Sequence, residues 1–394
     1  MRTAFGEKFD VPDGYLNTAS IGIPPAPVAD AVAAAVQDWR TGAAEPTDFD
    51  APVATARAAF GELVGFPADQ VAVGATVSGL VGLVAASFPA GARVLVARGE
   101  FTSLSFPFAA QVGRGVTVVE TDLERLPEEA PGYDVVAVSV VQSADGRMVD
   151  LEALRAAQAT GTRVVLDVSQ ALGWRDADLG WADVVAGAGY KWLLSPRGTA
   201  WMAVRPGLEP MPHQASWYAG EDRWASLYGL PLRLAAGARG LDTAPAWYCH
   251  VGAAVALPWL AGLDRGAVQA HCVGLADAFR TRLGLDPAGS AIVSVRRDNA
   301  VARLTAAGVT PAGRPGRPGR RGPAVVPPLQ HRGRRRPGGR RAHLIAVHAL
   351  SAARGTVGWR AGCRRPSATG RSATFRPPTP RAPSGAAPGR RCAQ

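Results

Sequence analysis

ADVVAGAGYKWLLSPRGTAWM, residues 182–202, decides the fold. Its apolar runs at 182–188 and 199–204 are short, continuous and rich in Val and Ala, the pattern of strands buried on both faces. Between them stands Lys191, flanked by Tyr190 and Trp192 and followed by the small-residue turn SPRG. The chain of 394 residues has only two lysines, Lys8 and Lys191, and arginine serves elsewhere as the surface cation. A composition that avoids lysine so strongly keeps Lys191 for what arginine cannot do. Only a primary amine condenses with an aldehyde or moves a proton near neutral pH. The bland alternative, a leftover surface lysine, suits Lys8 near the terminus better.

Upstream of this stretch the same alternation recurs from about residue 70. The runs VAVGA (71–75), RVLVA (93–97), VTVVE (116–120), DVVAVSVV (134–141) and RVVLDV (163–168) read as strands. Between them lie helical patterns such as VSGLVGLVAASF (77–88) and DLEALRAAQAT (150–160), the latter with Asp150 as its N-cap. Strands separated by helices predict an α/β fold, its mostly parallel central sheet covered by helices on both faces. In such sheets chemistry gathers beyond the C-terminal ends of the strands.

Three strand ends carry suitable groups. After VAVGA come Ala75, Thr76 and Ser78, small residues opening a helix, which suit a phosphate or a simple N-cap. After RVVL come Asp167, Ser169 and Gln170, where the carboxylate serves a ligand or caps the next turn. After ADVVAGAG come Tyr190 and Lys191. Together they match the needs of pyridoxal 5'-phosphate: an amine for its aldehyde, a carboxylate for its pyridinium nitrogen, a phosphate cradle and a flat group on the ring. Asp167 would keep the ring nitrogen protonated, and Lys191 would hold the cofactor and shuttle the proton.

Composition bounds the alternatives. The length allows two or three domains. No run approaches 18 apolar residues, so a membrane span is not expected. MRTAFGEKFD has no apolar core segment and does not read as a secretory signal. Four cysteines without CxxC spacing argue against a disulfide scaffold and a zinc site, so no metal is expected and a reducing cytoplasm is the default compartment. No GxGxxG follows a strand and no GxxxxGK[ST] occurs, which disfavours dinucleotide and P-loop chemistry.

YLNTAS (15–20), VGATVSG (73–79), DVSQALGW (167–174) and residues 182–202 together resemble the class V aminotransferase family. This is the fold-type I group of pyridoxal-phosphate enzymes that includes cysteine desulfurases, kynureninase and isopenicillin N epimerase. The resemblance covers roughly residues 12–310 and implies a homodimer with shared sites, acting on an amino acid or amine through a Schiff base on Lys191. It implies Asp167 as pyridinium partner, Gln170 on the cofactor's 3'-oxygen, and Ala75 and Thr76 in the phosphate turn. Phe101 matches the ring over the pyridine, and Ser143 a group near the 3'-oxygen. Thr243, in GLDTAP (240–245), matches the residue reaching the partner subunit's phosphate. Tyr190 stands where relatives carry a phosphate-contacting His, and Ala188 replaces a Ser, which removes one phosphate bond. The implied division is an N-terminal arm at 1–30, a large cofactor domain at 31–263 and the start of a small C-terminal domain at 264–310. Trp174 and Tyr218 are expected to line the cavity. Transamination, C–S lysis and epimerisation all remain open. Desulfurase activity is disfavoured, because Cys249 and Cys272 fall in apolar helical settings and Arg360–Cys363 only superficially matches a cysteine loop.

The C-terminal stretch is of another kind. Residues 299–394 hold 20 Arg and no Asp, Glu or Lys, leaving residues 1–298 with 23 basic and 32 acidic groups, a net of −9. Residues 311–394 read by composition as a disordered polycation. One reading is an RNA- or DNA-binding tail on an inactive relative. The other is a change of reading frame near residues 305–320. One back-translation of LQHRGRRRPGGRRAH (329–343), read one nucleotide on, encodes YNTEADVDRAVAAL, a capped amphipathic helix like that closing the family's small domain. The same shift near PAVVPP permits RLSFHL, where relatives carry the arginine that binds a substrate carboxylate.

Overall fold

The computed structural model describes residues 1–295 and 299–312 and the backbone of 343–346. The chain opens with short strands β1 (Arg2–Ala4), β2 (Glu7–Phe9) and β3 (Tyr15–Leu16), of which the first two pair antiparallel. Helices α1 (Ala26–Thr41) and α2 (Asp50–Val64) follow. Each stops at a glycine with positive φ, Gly42 and Gly65, where a side chain would be strained.

The alternating run then builds the central sheet. It proceeds through β4 (Val71–Gly74), α3 (Val77–Ser87), β5 (Arg93–Ala97), α4 (Thr102–Ala109) and β6 (Thr117–Thr121). It continues through α5 (Leu126–Glu129), β7 (Val135–Ser139), α6 (Leu151–Gln158), β8 (Arg163–Asp167), β9 (Val184–Ala188) and β10 (Ala200–Val204). The seven strands stand in the order β4-β10-β9-β8-β7-β5-β6. Neighbours from β9 through β6 are parallel, whereas β10 runs antiparallel to both β9 and β4. The continuous apolar reading of 199–204 predicts a buried strand but not its direction. The connection from β9 contains no crossover helix, so β10 must return antiparallel. Asp150 caps α6 by accepting the Ala153 amide at 3.0 Å, as its position predicts.

Every residue of β7, β9 and β10 is buried, and the sheet is covered on both faces by separate apolar cores. Each fully buried Val or Leu there contributes about 1.5–3 kcal/mol relative to exposure. Helix α7 (Trp247–Ala261) packs on α1 and α2. Helix α8 (Arg265–Arg282), capped by Asp264, and β11 (Ile292–Val295) add a smaller apolar cluster around Ala276, Val293 and Val295. The chain then forms α9 (Ala300–Ala306) and β12 (Thr310–Pro311), which pairs parallel with β3. Backbone strand β13 (His343–Ala346) pairs antiparallel with β11. The rest of the arginine-rich tail, including PAVVPP and Arg360–Cys363, lies outside the described residues.

Candidate active site

The strand ends converge on Lys191. β8 ends on Asp167 and β9 ends three residues before the lysine, and these neighbouring parallel strands bring their exits side by side. Lys191 is only 5 % exposed, and its Nζ lies 5.2 Å from the ring centroid of Phe101 and 5.8 Å from that of Tyr190. Two aromatic rings therefore flank a largely buried amine. A cation there gains about 0.5–2 kcal/mol from the ring quadrupoles. The turn after Lys191 is tight: Leu194 takes positive φ, and a Cβ on Gly189 would lie 2.2 Å from Ser195 Oγ. Only glycine permits this close return.

Asp167 is 4 % exposed. Its Oδ1 accepts the Ser169 amide at 2.8 Å. A carboxylate so buried is costly unless a cationic or N–H partner shares its site. The chemistry of this donor set, a buried amine and a buried carboxylate at neighbouring strand exits, fits a pyridinium aldehyde. Ser169 completes the turn, its Oγ accepting the Ala188 amide at 3.0 Å and so tying the β8 exit to β9.

Gln170 is fully engaged. Its Nε2 donates to Ala19 O at 3.0 Å and to Ser143 Oγ at 3.3 Å, and its Oε1 accepts from Trp192 Nε1 at 2.9 Å. The longer bond to Ser143 marks the N–H most readily turned toward a ligand oxygen. Ser143 and Gln170 thus meet, as the resemblance implies. The N-terminal arm closes over the same floor: Gly22 N donates to Tyr190 O at 2.9 Å, and a Cβ on Gly22 would lie 2.0 Å from Lys191 O.

At the β4 exit, Ala75 and Thr76 are exposed at the start of α3. Thr76 Oγ1 accepts the Gly79 amide at 3.1 Å, so the N-cap reading holds. The remaining first-turn amides still present the positive end of an eleven-residue helix. Thr243 donates its amide to Val73 O at 3.0 Å beside this exit. The guanidinium of Arg197 lies over Tyr190, 5.1 Å from its centroid.

Two expected cavity walls are not walls. Trp174 is buried beneath the floor, donating Nε1 to Gln170 O at 2.6 Å. Tyr218 is 1 % exposed, its hydroxyl accepting from Arg223 Nη1 at 3.0 Å, and burial pushes its phenol up to about 12. Both aromatic side chains were placed by composition, and core packing claimed them. Cys272 is buried and its thiol is pushed up to about 12, while half-buried Cys249 donates to Arg197 O at 3.1 Å. Among the described residues no acidic, histidine or cysteine cluster suits a metal.

Sequence reading passed over Glu100, whose buried carboxylate joins the β5 and β7 exits, and the Arg57–Asp242 pair behind β4. No local signal links Arg57 to Asp242, which are 185 positions apart. Glu100 stood next to Phe101 and carried a signal only in being an acid inside an apolar strand exit.

The sheet and its strand order give the chain the fold-type I architecture of solved pyridoxal-phosphate enzymes. No protein-family model matches the sequence. The chain is 29 % identical over 280 residues to isopenicillin N epimerase of Streptomyces clavuligerus, covering 62 % of this chain and 69 % of that protein. Its fold matches a lysine-to-alanine mutant of the enzyme C-DES with glycine covalently linked to its PLP cofactor. That match has a TM-score of 0.67 at 18 % identity and covers 76 % of this chain and 89 % of the other. The Escherichia coli cysteine desulfurase CsdA matches with a TM-score of 0.66 at 19 % identity, over 78 % of this chain and 86 % of that one.

Proposed function

We propose that the chain is a pyridoxal 5'-phosphate-dependent enzyme acting on an amino acid or amine, with Lys191 as the cofactor-bearing base. The observation that carries this reading is a buried amine between two rings, with a buried carboxylate at the end of the neighbouring parallel strand. When bound, the cofactor supplies an aldehyde for amines and a ring that accepts the electron pair released at the substrate Cα.

The chain's own groups do the rest. Lys191 Nζ would hold the cofactor's aldehyde and would take or return the proton at the substrate Cα. The Asp167 carboxylate would hold the proton on the pyridinium nitrogen. The first-turn amides of α3, with Thr76 and Ala75, would receive the phosphate, and Phe101 would cover one ring face. Gln170 and Ser143 serve the 3'-oxygen, and Tyr190 closes the other side of the amine. The buried floor of Gln170, Trp192 and Ala19 excludes water beneath the reacting centre.

A second copy of the chain completes the reading. The excursion 224–234 exposes Trp224, Leu227, Tyr228, Leu230 and Leu232, with Tyr228 and Leu230 each 91 % exposed. An exposed apolar run of this length fits contact with a second copy. Thr243 follows this excursion and is the residue offered to the partner's phosphate. No helix among the described residues is long and apolar enough to cross a membrane, and we place the enzyme in the cytoplasm. Neither the fold nor the relatives favour a nucleic-acid-binding role.

The test is spectroscopic. Full-length protein mixed with pyridoxal phosphate acquires a visible absorption band that survives desalting and shifts on adding amino acids. Lys191→Ala and Lys191→Arg both abolish it. A band unchanged in either variant overturns the proposal.

A further inference from the structure

Glu100 is 6 % exposed in the link between β5 and α4, and no basic group among the described residues pairs with it. Its Oε1 accepts the Phe101 amide at 2.7 Å and the Ser139 hydroxyl at 2.6 Å. Its Oε2 accepts the Ser139 amide at 3.0 Å and Gln142 Nε2 at 2.8 Å. Four neutral donors thus converge on one acid. Burial pushes its carboxyl above the usual carboxylate range, and the four bonds oppose that shift. Holding an acid dry and unpaired is expensive for a surface link between strands.

The placement of its partners indicates what it achieves. Ser139 ends β7 and sits in register with Asp167 on β8. Phe101 is the N-cap of α4 and is 37 % exposed, so apolar packing alone cannot fix its ring. Its amide is held by the side chain of the residue before it. One carboxylate therefore locks the backbone that carries Phe101 to the strand whose end lies beside Asp167.

We propose that Glu100 is a positioning residue that sets the Phe101 ring over the amine of Lys191, and through it the face of the cofactor. This rests on the reading of Lys191 as the cofactor-bearing amine. In Glu100→Gln one oxygen becomes an NH2 facing donors, so either the Phe101 or the Ser139 backbone amide loses its acceptor.

The experiment is a double-mutant cycle on full-length protein, reading the dissociation constant of pyridoxal phosphate by absorbance, and the thermal midpoint without cofactor. Glu100→Gln is expected to weaken binding about tenfold beside Phe101 and less than about twofold in a Phe101→Ala background, as coupled neighbours behave. Gln142→Met, which removes a single donor and preserves the acid, is expected to give a smaller loss with the same dependence on Phe101. If both losses are equal in the two backgrounds, Glu100 is only a brace between strands and the inference falls. Unchanged binding in Glu100→Gln, with a wild-type band that Lys191→Ala abolishes, also overturns the inference while leaving the reading of Lys191 intact. A wild type that forms no band overturns both.

Discussion

Lys191 was legible because lysine is so rare in this chain; its setting was not. Flanking Tyr190 is adjacent in sequence, but Phe101 reaches the amine from ninety positions upstream through the β5 exit. His250 shows the opposite case, a side chain nothing in the sequence marks. It is wholly buried on α7, edge-on to Trp201 at 5.7 Å, and neither ring nitrogen has a partner among the described residues. Burial, reinforced by the charge of Arg57, pushes its imidazole down to about 4. The folded state thus keeps His250 neutral where the unfolded chain, titrating near 6.5, binds a proton. Stability is present in full above pH 6.5 and is lost as pH falls from there toward 4. By pH 5 the loss is about 2 kcal/mol. Melts of wild type and His250→Phe between pH 8 and 5 check this: the wild-type midpoint should fall on acidification, and the variant should lose most of that slope.

Between elements, the decisive contact is the clamp behind β4. Asp242, at 0 % exposure, receives Arg57 of α2 through two bonds, at 3.0 and 2.6 Å, and also accepts the Val73 amide at 2.8 Å. The next residue, Thr243, donates to Val73 O, so the segment after the exposed excursion is sewn along the edge strand beside the phosphate turn. Removing one partner strands a buried charge. Arg57→Met is expected to cost about 3–5 kcal/mol in denaturant unfolding, whereas Arg57→Met with Asp242→Leu should recover most of it. A double variant no more stable than the single one would show that the bonds to Val73, not the charge pair, carry the clamp. The elements themselves were largely readable. Strand runs were displaced by only a residue or two, and the Asp150 and Thr76 caps fell as their side chains dictate. The antiparallel course of β10 was not readable, because an apolar run buried on both faces looks the same in either direction.

The assembled chain carries its largest exposed apolar run at 224–234. If this run meets a second copy, Leu230→Glu and Tyr228→Glu should halve the mass seen by light scattering while leaving the far-ultraviolet circular dichroism unchanged. A monomeric wild type would remove the dimer from the proposal. Beyond residue 312, the backbone of β13 adds to the sheet that β11 begins. Order along the chain settled the α/β alternation and the chemical identities at the strand exits. Hydrophobic period and a single scarce amine are local properties, written residue by residue. Which groups meet was settled only in three dimensions. Gln170 with Trp192 and Ala19, Glu100 with Ser139, and Arg57 with Asp242 are joined by strand register and helix packing, and these depend on the whole sheet closing at once.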